Sequence, residues 1–404
     1  MTSGVVGRTT ETEVAVGEGL SRARVYWSQL ISAAGLWAAG RAALIGFVLL
    51  ISWLDGLAQA KRQQDWLQWA IDRFMGRDTG HFLRIADVGY PPGTCCDQAF
   101  LPGYPLATRL TAVVTGGDLR LASLLVTFVA GAVSAALLWQ LTCDRVRQLV
   151  DGGEQAGIRA VLYLMVAPYG IFLTVGYSEA MFLAAAMGAW LSATRRHWWI
   201  AGVLMALTVS LRINGLFVVA ALAVMYLLQR RGGRRWRPRP DLLGFSFPLI
   251  MVGVIAAWLH HSTGSWNAWQ EAEHQGWGRK LAWPWRGLAD GWNEITAMRG
   301  QHILLATVAA FATVVLGLLL VVVFGWLRRW PETVYLLLNV LVLVCSSTFV
   351  SAPRYGLTWF PAFILAAETT ARRRLRWLHP LVLIACLPVL AALAILFSRG
   401  AWVA

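Results

Sequence analysis

Apolar runs of about 20 residues, the length a helix needs to cross the hydrocarbon core of a bilayer, recur from one end of the chain to the other. By run length and flanking charge they fall at 34–54, 119–142, 158–175, 178–194, 198–211, 213–228, 241–260, 303–327, 332–350, 355–371 and 378–398, about eleven spans. This repetition predicts an all-α polytopic membrane protein, because in lipid every backbone polar group must be satisfied inside its own segment. A cleavable signal peptide explains none of the bulk of these runs. The composition agrees: the 404 residues are 57% hydrophobic and 14% charged, with a mean hydropathy of +0.56, well outside the soluble range. Residues 1–30 are polar, rich in Gly, Thr and Glu and without an apolar period. They are expected to be a disordered cytoplasmic tail, with 31–404 a single transmembrane domain.

A net charge of +14 raises nucleic acid as a partner, but the basic residues lie in short clusters between apolar runs, where the positive-inside rule puts them. With a cytoplasmic N-terminus, one side carries Arg145 and Arg147, Arg195 and Arg196, the cluster from Arg230 to Arg239, Arg328 and Arg329, and "RRRLR" from Arg372 to Arg376. The other side holds two long loops, 55–118 and 261–302, and three tight connections, Gly176–Ala180, Leu211–Gly215 and Ser351–Gly356. The sequence therefore predicts a multi-pass plasma-membrane protein with membrane lipids around it, no nucleic-acid partner, and its chemistry on the extracytoplasmic face.

Both long loops read as built. Trp66, Trp69, Ala70 and Phe74, then Phe82, Ile85, Ala86 and Gly89, follow helical spacing with charges on the other faces, as short interfacial helices do. In the second loop Trp266, Trp269, Trp277, Trp283, Trp285 and Trp292 crowd together. An interfacial aromatic belt accounts for most of them, and Trp faces also stack on sugars. Of the five cysteines, only Cys95 and Cys96 lie in a loop, where a bridge from one of them to another segment and a plain loop role are both open.

The stretch "RDTGHFLRIADVGY", Arg77 to Tyr90, concentrates charge in an otherwise greasy chain. Asp78 stands where a loop helix begins, so N-capping is one account of it. Within ten residues follows "AFLPGYPLATRL", Ala99 to Leu110, whose prolines and glycine force a rigid return to the membrane. With "APYGIFLTVGYSEAMF" (Ala167 to Phe182), "LRINGL" (Leu211 to Leu216), "GSWNAWQEAEHQGWGRKLAWPW" (Gly264 to Trp285) and "SAPRYGLTWFPAF" (Ser351 to Phe363), the chain resembles the PIG-V-type mannosyltransferases. These are integral membrane glycosyltransferases of the GT-C class. The resemblance runs through most of the chain in order and implies a GT-C architecture, a polyprenyl-phosphate-mannose donor, and transfer on the extracytoplasmic face to a glycolipid, glycan or protein acceptor. Arg77 stands where the family has an aromatic residue before its catalytic Asp, a departure that bears on substrate contacts more than on fold.

The chemistry can be argued beside the resemblance. A lipid-phosphate sugar brings its own leaving group, so the enzyme needs a base for the acceptor hydroxyl, cations for the departing phosphate, and positioning. Asp78 is the candidate base of an inverting reaction, and a β-linked donor then gives an α-mannoside. The cation candidates are Arg354, Arg212, Arg279 and Lys280, with Tyr355 beside the first. Interfacial snorkelling competes for Arg354 and Arg212, and plain solvation for the other two. Glu179 can hold the acceptor sugar or orient Arg354, with helix capping as the rival. His81, on the helical face of Asp78, can share its proton or bind sugar hydroxyls, or simply pack. His274 enters through the resemblance alone. No carboxylate cluster has metal-ligand character, so neither a metal nor another cofactor is expected. The alternatives are transfer of another polyprenyl-phosphate sugar, and a transporter or lipid flippase, although no inverted repeat is visible.

Overall fold

The computed structural model describes residues 6–58, 65–91, 93–147, 153–230, 240–280, 282–297, 301–346, 351–401 and 403. In chain order its helices are α1 (Val6–Ala58), α2 (Trp66–Asp72), α3 (Thr79–Val88), α4 (Gly103–Thr111), α5 (Leu119–Val146) and α6 (Gly153–Val166). Next come α7 (Glu179–Thr194), α8 (Trp198–Leu211), α9 (Gly215–Leu228), α10 (Ser246–Thr263), α11 (Ala268–Trp277) and α12 (Pro284–Ala297). The last are α13 (Gln301–Trp326), α14 (Trp330–Val344), α15 (Ala352–Gly356), α16 (Phe360–Ala371) and α17 (Leu378–Ser398). Helices and short 3₁₀ turns make up the regular structure of the described residues, with no β-strand among them.

Among the described residues, five stretches are long and apolar enough to cross a bilayer: Ser28–Gly56 of α1, Leu119–Val146, Pro240–Thr263, Val308–Trp326 of α13 and Arg373–Ser398. The other six expected spans hold helices in the right places but shorter, α6, α7, α8, α9, α14 and α16, of 12 to 16 residues each. A 14-residue helix rises only about 21 Å, against about 30 Å of hydrocarbon. The expected bounds 178–194, 198–211 and 213–228 stay close to those of α7, α8 and α9 in the structure, Glu179–Thr194, Trp198–Leu211 and Gly215–Leu228. The short helices pack on their neighbours: α7 on α5, α8 and α9, and α14 on α9 and α13. Ala180, Ala185, Ala186, Gly188, Ala189 and Ala193 of α7 are all buried, small residues that let helices approach closely in the absence of a hydrophobic drive. α7 is enclosed by protein and need not match the membrane's thickness, whereas α8 and α14 keep an exposed apolar face at Trp199, Ile200 and Val203 and at Leu337, Leu341 and Val342.

Two further expectations change. The run 158–175 does not make one helix: α6 stops at Val166, and a 3₁₀ turn follows at Gly170–Leu173. Pro168 lacks an N–H and disfavours helix in the residue before it. The freed carbonyls are met by Arg41 of α1, 2% exposed, which donates to Gly170 O at 2.9 Å, Thr174 Oγ1 at 3.2 Å and Met165 O at 3.2 Å. The N-terminal tail expected to be disordered over 1–30 is helical from Val6 onward, as an extension of α1. The reason is local: its alanines, glutamates and arginines are compatible with helix, and the run continues into the membrane segment without a Pro or a turn pair.

The interfacial helices form where spacing predicted them. In α3, Phe82, Ile85 and Ala86 are buried while Arg84 and Asp87 are exposed, and Gly89 ends the helix at φ 76°. At one end of the bundle Arg145, Arg329 and Glu368 meet, as do Arg195 and Asp144. Most of the Arg230–Arg239 cluster lies outside the described residues. The N-termini of α7 and α9, the C-terminus of α8, and α15 converge at the other end with α3 and α11.

Candidate functional site

At that second end the converging helix ends, capped by α3 and α11, enclose a cavity of about 420 Å³, within the range of pockets that hold small ligands. Asp78 lies on its wall and precedes α3 with helical torsions, φ −62° and ψ −22°. Its side chain makes no capping bond, so the simple N-cap account of this residue does not hold. Its position is fixed from behind. The Asp78 N–H donates to Tyr177 Oη at 3.2 Å, and that hydroxyl donates to Gly76 O at 3.2 Å. Arg77 takes a left-handed φ of 54° and reaches the C-terminal segment, donating to Gly400 O at 2.9 Å.

Asp78 Oδ2 is paired with Arg354 Nη1. The same guanidinium uses its Nε on Glu179 Oε1, and Arg212 Nη1 donates to that oxygen at 2.7 Å. Glu179 is fully buried, behind the cavity wall, and holds two arginines on one carboxylate oxygen. The aromatic faces continue the support: Arg354 lies 4.5 Å over the Tyr177 ring and Arg212 lies 5.3 Å over that of Tyr355. Placing two arginines and two carboxylates here is costly unless each is paired, and each has an opposite charge in contact. The capping account of Glu179 also fails, since its carboxylate is engaged by arginines and Ser178 makes no cap bond.

Local sequence explains how Arg212 arrives. It ends α8 in extended conformation, φ −155°, and two residues later Asn214 and Gly215 start α9. A Cβ on Gly215 would lie 2.5 Å from Val209 N, so this reversal needs a glycine.

The second long loop supplies the opposite rim. Arg279 Nη1 donates to Glu273 Oε2 at 2.9 Å and to Tyr355 Oη at 3.3 Å. Burial pushes the Glu273 carboxyl above the usual range, opposed by Arg279. Arg279 is thus part of the cavity wall, not only a solvated loop charge. Lys280 and His274 are exposed and are not among the cavity-lining residues. His81 lines the cavity, but its Nδ1 is 2.6 Å from Asp97 Oδ1. The proton partnership proposed between His81 and Asp78 is replaced by one with Asp97. Cys95 and Cys96 bond to each other, so the possible bridge to another segment is also replaced.

Sequence reading did not single out Asp97, Glu273, Tyr177 or Arg41 as site residues. The partners of Asp97, Tyr177 and Arg41 are 16 to 129 residues distant, and no local spacing announces such pairs; Glu273 meets Arg279 past the end of its own helix. Among the described residues, no three His, Cys, Asp or Glu side chains gather as a metal would require.

Residues 59–231 match the family model described as mannosyltransferase (PIG-V). A GPI alpha-1,6-mannosyltransferase 2 of Cricetulus griseus is 33% identical over 154 residues, 36% of this chain and 30% of that protein. The Homo sapiens protein of the same name is 34% identical over 155 residues, again 36% and 30% of the two chains. The matched region is thus less than a third of the length of these relatives. A solved oligosaccharyltransferase of Archaeoglobus fulgidus superposes with a TM-score of 0.47 and 14% identity, over 88% of this chain and 53% of that one.

Proposed function

From the match of residues 59–231 to the PIG-V mannosyltransferase model, we propose a membrane mannosyltransferase of that family that takes mannose from a polyprenyl-phosphate carrier and delivers it to a hydroxyl of a cell-envelope acceptor. The observation that carries the reading is Asp78: a carboxylate free of capping duty, at a cavity whose wall holds Arg354, Arg212 and Arg279.

The step balances with these groups. The acceptor oxygen forms a bond to the anomeric carbon while its proton passes to the Asp78 carboxylate. The bond from that carbon to the phosphate oxygen breaks, its electron pair stays on the phosphate, and the arginines stabilise the developing charge. A planar guanidinium suits this work because it grips phosphate through two hydrogen bonds and stays protonated in a low dielectric. Attack on the face opposite the phosphate inverts the centre, so a β-linked donor gives an α-mannoside. A monophosphate leaving group held by three arginines needs no metal, and the proposal includes metal independence. The active site opens on the extracytoplasmic side of the plasma membrane.

The test uses purified full-length protein in detergent, radiolabelled polyprenyl-phosphate-mannose, a membrane lipid extract as acceptor, and EDTA throughout. Label is expected in a new product, and Asp78→Asn is expected to lower turnover by roughly 10²- to 10⁴-fold, the usual contribution of a positioned base. Substantial turnover by the folded Asn variant rejects the base. Transfer only from another polyprenyl-phosphate sugar rejects the donor, and no transfer from any carrier returns the transporter reading.

A further inference from the structure

Cys95 and Cys96 are neighbours in sequence and are bonded to each other. A disulfide stabilises a protein mainly by closing a loop of the unfolded chain, and more so the longer the loop. This bond encloses no intervening residue, so it is a poor general staple; what it fixes is a single turn. We propose that the pair is a thiol–disulfide switch: reduction by a dithiol reaching the cavity releases the turn that carries Asp97, unseats α11, and slows transfer. The effect on transfer rests on the proposed function, whereas the redox chemistry and the change in structure do not.

Three observations carry it. The first is access. Cys95 is exposed and lines the cavity, whereas Cys96 is buried. A thiolate entering by the cavity therefore attacks Cys95 Sγ, and the electron pair of the broken S–S bond leaves on Cys96 Sγ, which takes up a proton. The second thiolate of the reductant then attacks its own sulfur in the mixed disulfide, releasing Cys95 Sγ to take up a second proton. Two electrons pass to the protein, and the reductant departs as a disulfide; a disulfide of the same class reverses the reaction. The second observation is what the turn carries. Cys96 stands at a left-handed φ of 81°, which a residue with a side chain keeps only where its surroundings impose it. The rotation that sets this φ is about a bond inside the ring that the disulfide closes, so opening the ring frees it. The next residue, Asp97, is 0% exposed and sits 2.6 Å from His81 Nδ1, and the His81 ring stacks on Phe100 with centroids 4.7 Å apart. The third is the seat of α11. A Cβ on Gly276 would lie 3.1 Å from Cys96 Sγ, so the helix closes directly on this sulfur. Two separate thiols take more room than one bonded pair, and a glycine packed this closely leaves none to spare. The same helix brings Glu273 and Trp277 to the cavity, and Arg279 just beyond it donates to Glu273 and to Tyr355.

The experiment compares the full-length protein in detergent as isolated, after reduction with dithiothreitol, and after reoxidation with oxidised glutathione. Iodoacetamide followed by peptide mapping is expected to modify Cys95 and Cys96 only in the reduced sample. Amide hydrogen exchange is expected to rise on reduction at residues 96–100 and across α11, to stay unchanged in α5 and α7, and to return on reoxidation. Transfer of labelled mannose to the membrane lipid extract is expected to fall by up to roughly 10²-fold, the scale on which a misplaced group acts, and to recover with the bond. The double variant Cys95→Ser, Cys96→Ser is expected to match the reduced protein and to ignore both reagents; should it not fold, the cycle in the wild type reads the same change. Alkylation of both cysteines without reductant, or a reduced protein with unchanged exchange or unchanged transfer, overturns the switch. So does a double variant that still loses activity in dithiothreitol. Absence of transfer by the wild type in every state rejects the proposed transferase, and the switch then stands or falls on alkylation and exchange.

Discussion

Glu179 is the residue on which the site's charge balance turns. It touches no part of the cavity surface, yet it holds Arg354 and Arg212 on a single oxygen. Glu179→Gln keeps the shape and removes the charge, leaving two arginines in the wall with Asp78 as the one remaining carboxylate in contact with either. Breaking a buried pair from one side costs about 3–5 kcal/mol, so a marked fall in thermal stability in detergent is expected, with a raised donor KM if the protein still folds. Unchanged melting and donor KM would show that the arginines are held by something else. Arg354 was singled out in the sequence because an ionisable residue at the end of an apolar span is costly and calls for a reason, and Asp78 because the stretch Arg77 to Tyr90 concentrates charge in a greasy chain and resembles a known motif. The pairing of His81 was not legible: helical spacing pointed it at Asp78, three residues away, but Asp97 is delivered by a turn in which Cys96 takes a left-handed φ of 81°, and no periodicity predicts where such a turn leads.

At the scale of elements, the site exists because several helices stop short. α8 ends at Leu211 and α9 starts at Gly215, and the reversal between them swings Arg212 back onto Glu179. Gly215→Ala places a Cβ 2.5 Å from Thr208 C and Val209 N, backbone atoms that cannot rotate away. The two helices must then part, at a cost of about 1–3 kcal/mol as in other overpacked sites. The expected signature is a lower melting temperature together with a higher donor KM, because the same turn carries both packing and cation; a drop in stability alone would separate Arg212 from donor binding. Hydropathy located all these helices, since apolar runs are a one-dimensional signal. It also placed the bounds of α8 and α9 closely but missed the break after Val166, because whether a helix continues towards a Pro depends on what surrounds it. For α6 the surroundings include Arg41, a cation in the middle of another span that satisfies carbonyls released by the break.

For the whole molecule, the two ends of the bundle differ in kind. One gathers Arg145, Arg195 and Arg329 with Asp144 and Glu368, plus the exposed run at Arg372–Arg374. The other holds the cavity, the interfacial helices and exposed tryptophans such as Trp266, Trp283, Trp285 and Trp292. Arginine is retained on the cytoplasmic side during insertion, so the charge rule predicts the cavity facing outward; Trp collects at both membrane–water boundaries, and exposed Trp326, Trp330 and Trp377 mark the other one. A polyprenyl-phosphate sugar requires the same orientation if it is consumed on the outer leaflet, as proposed here. The charge rule and the proposed chemistry thus make one prediction from independent premises. Lys280→Cys, at the cavity end, is expected to react with a membrane-impermeant maleimide in intact cells, whereas Arg373→Cys is expected to react only after permeabilisation, each against the parent's background from Cys345 and Cys386. Both positions are exposed, so reactivity reports sidedness and not burial. The reverse pattern would place the cavity in the cytoplasm, where a nucleotide sugar is at hand, and would remove the case for a lipid-linked donor while leaving Asp78 and its arginines where they are.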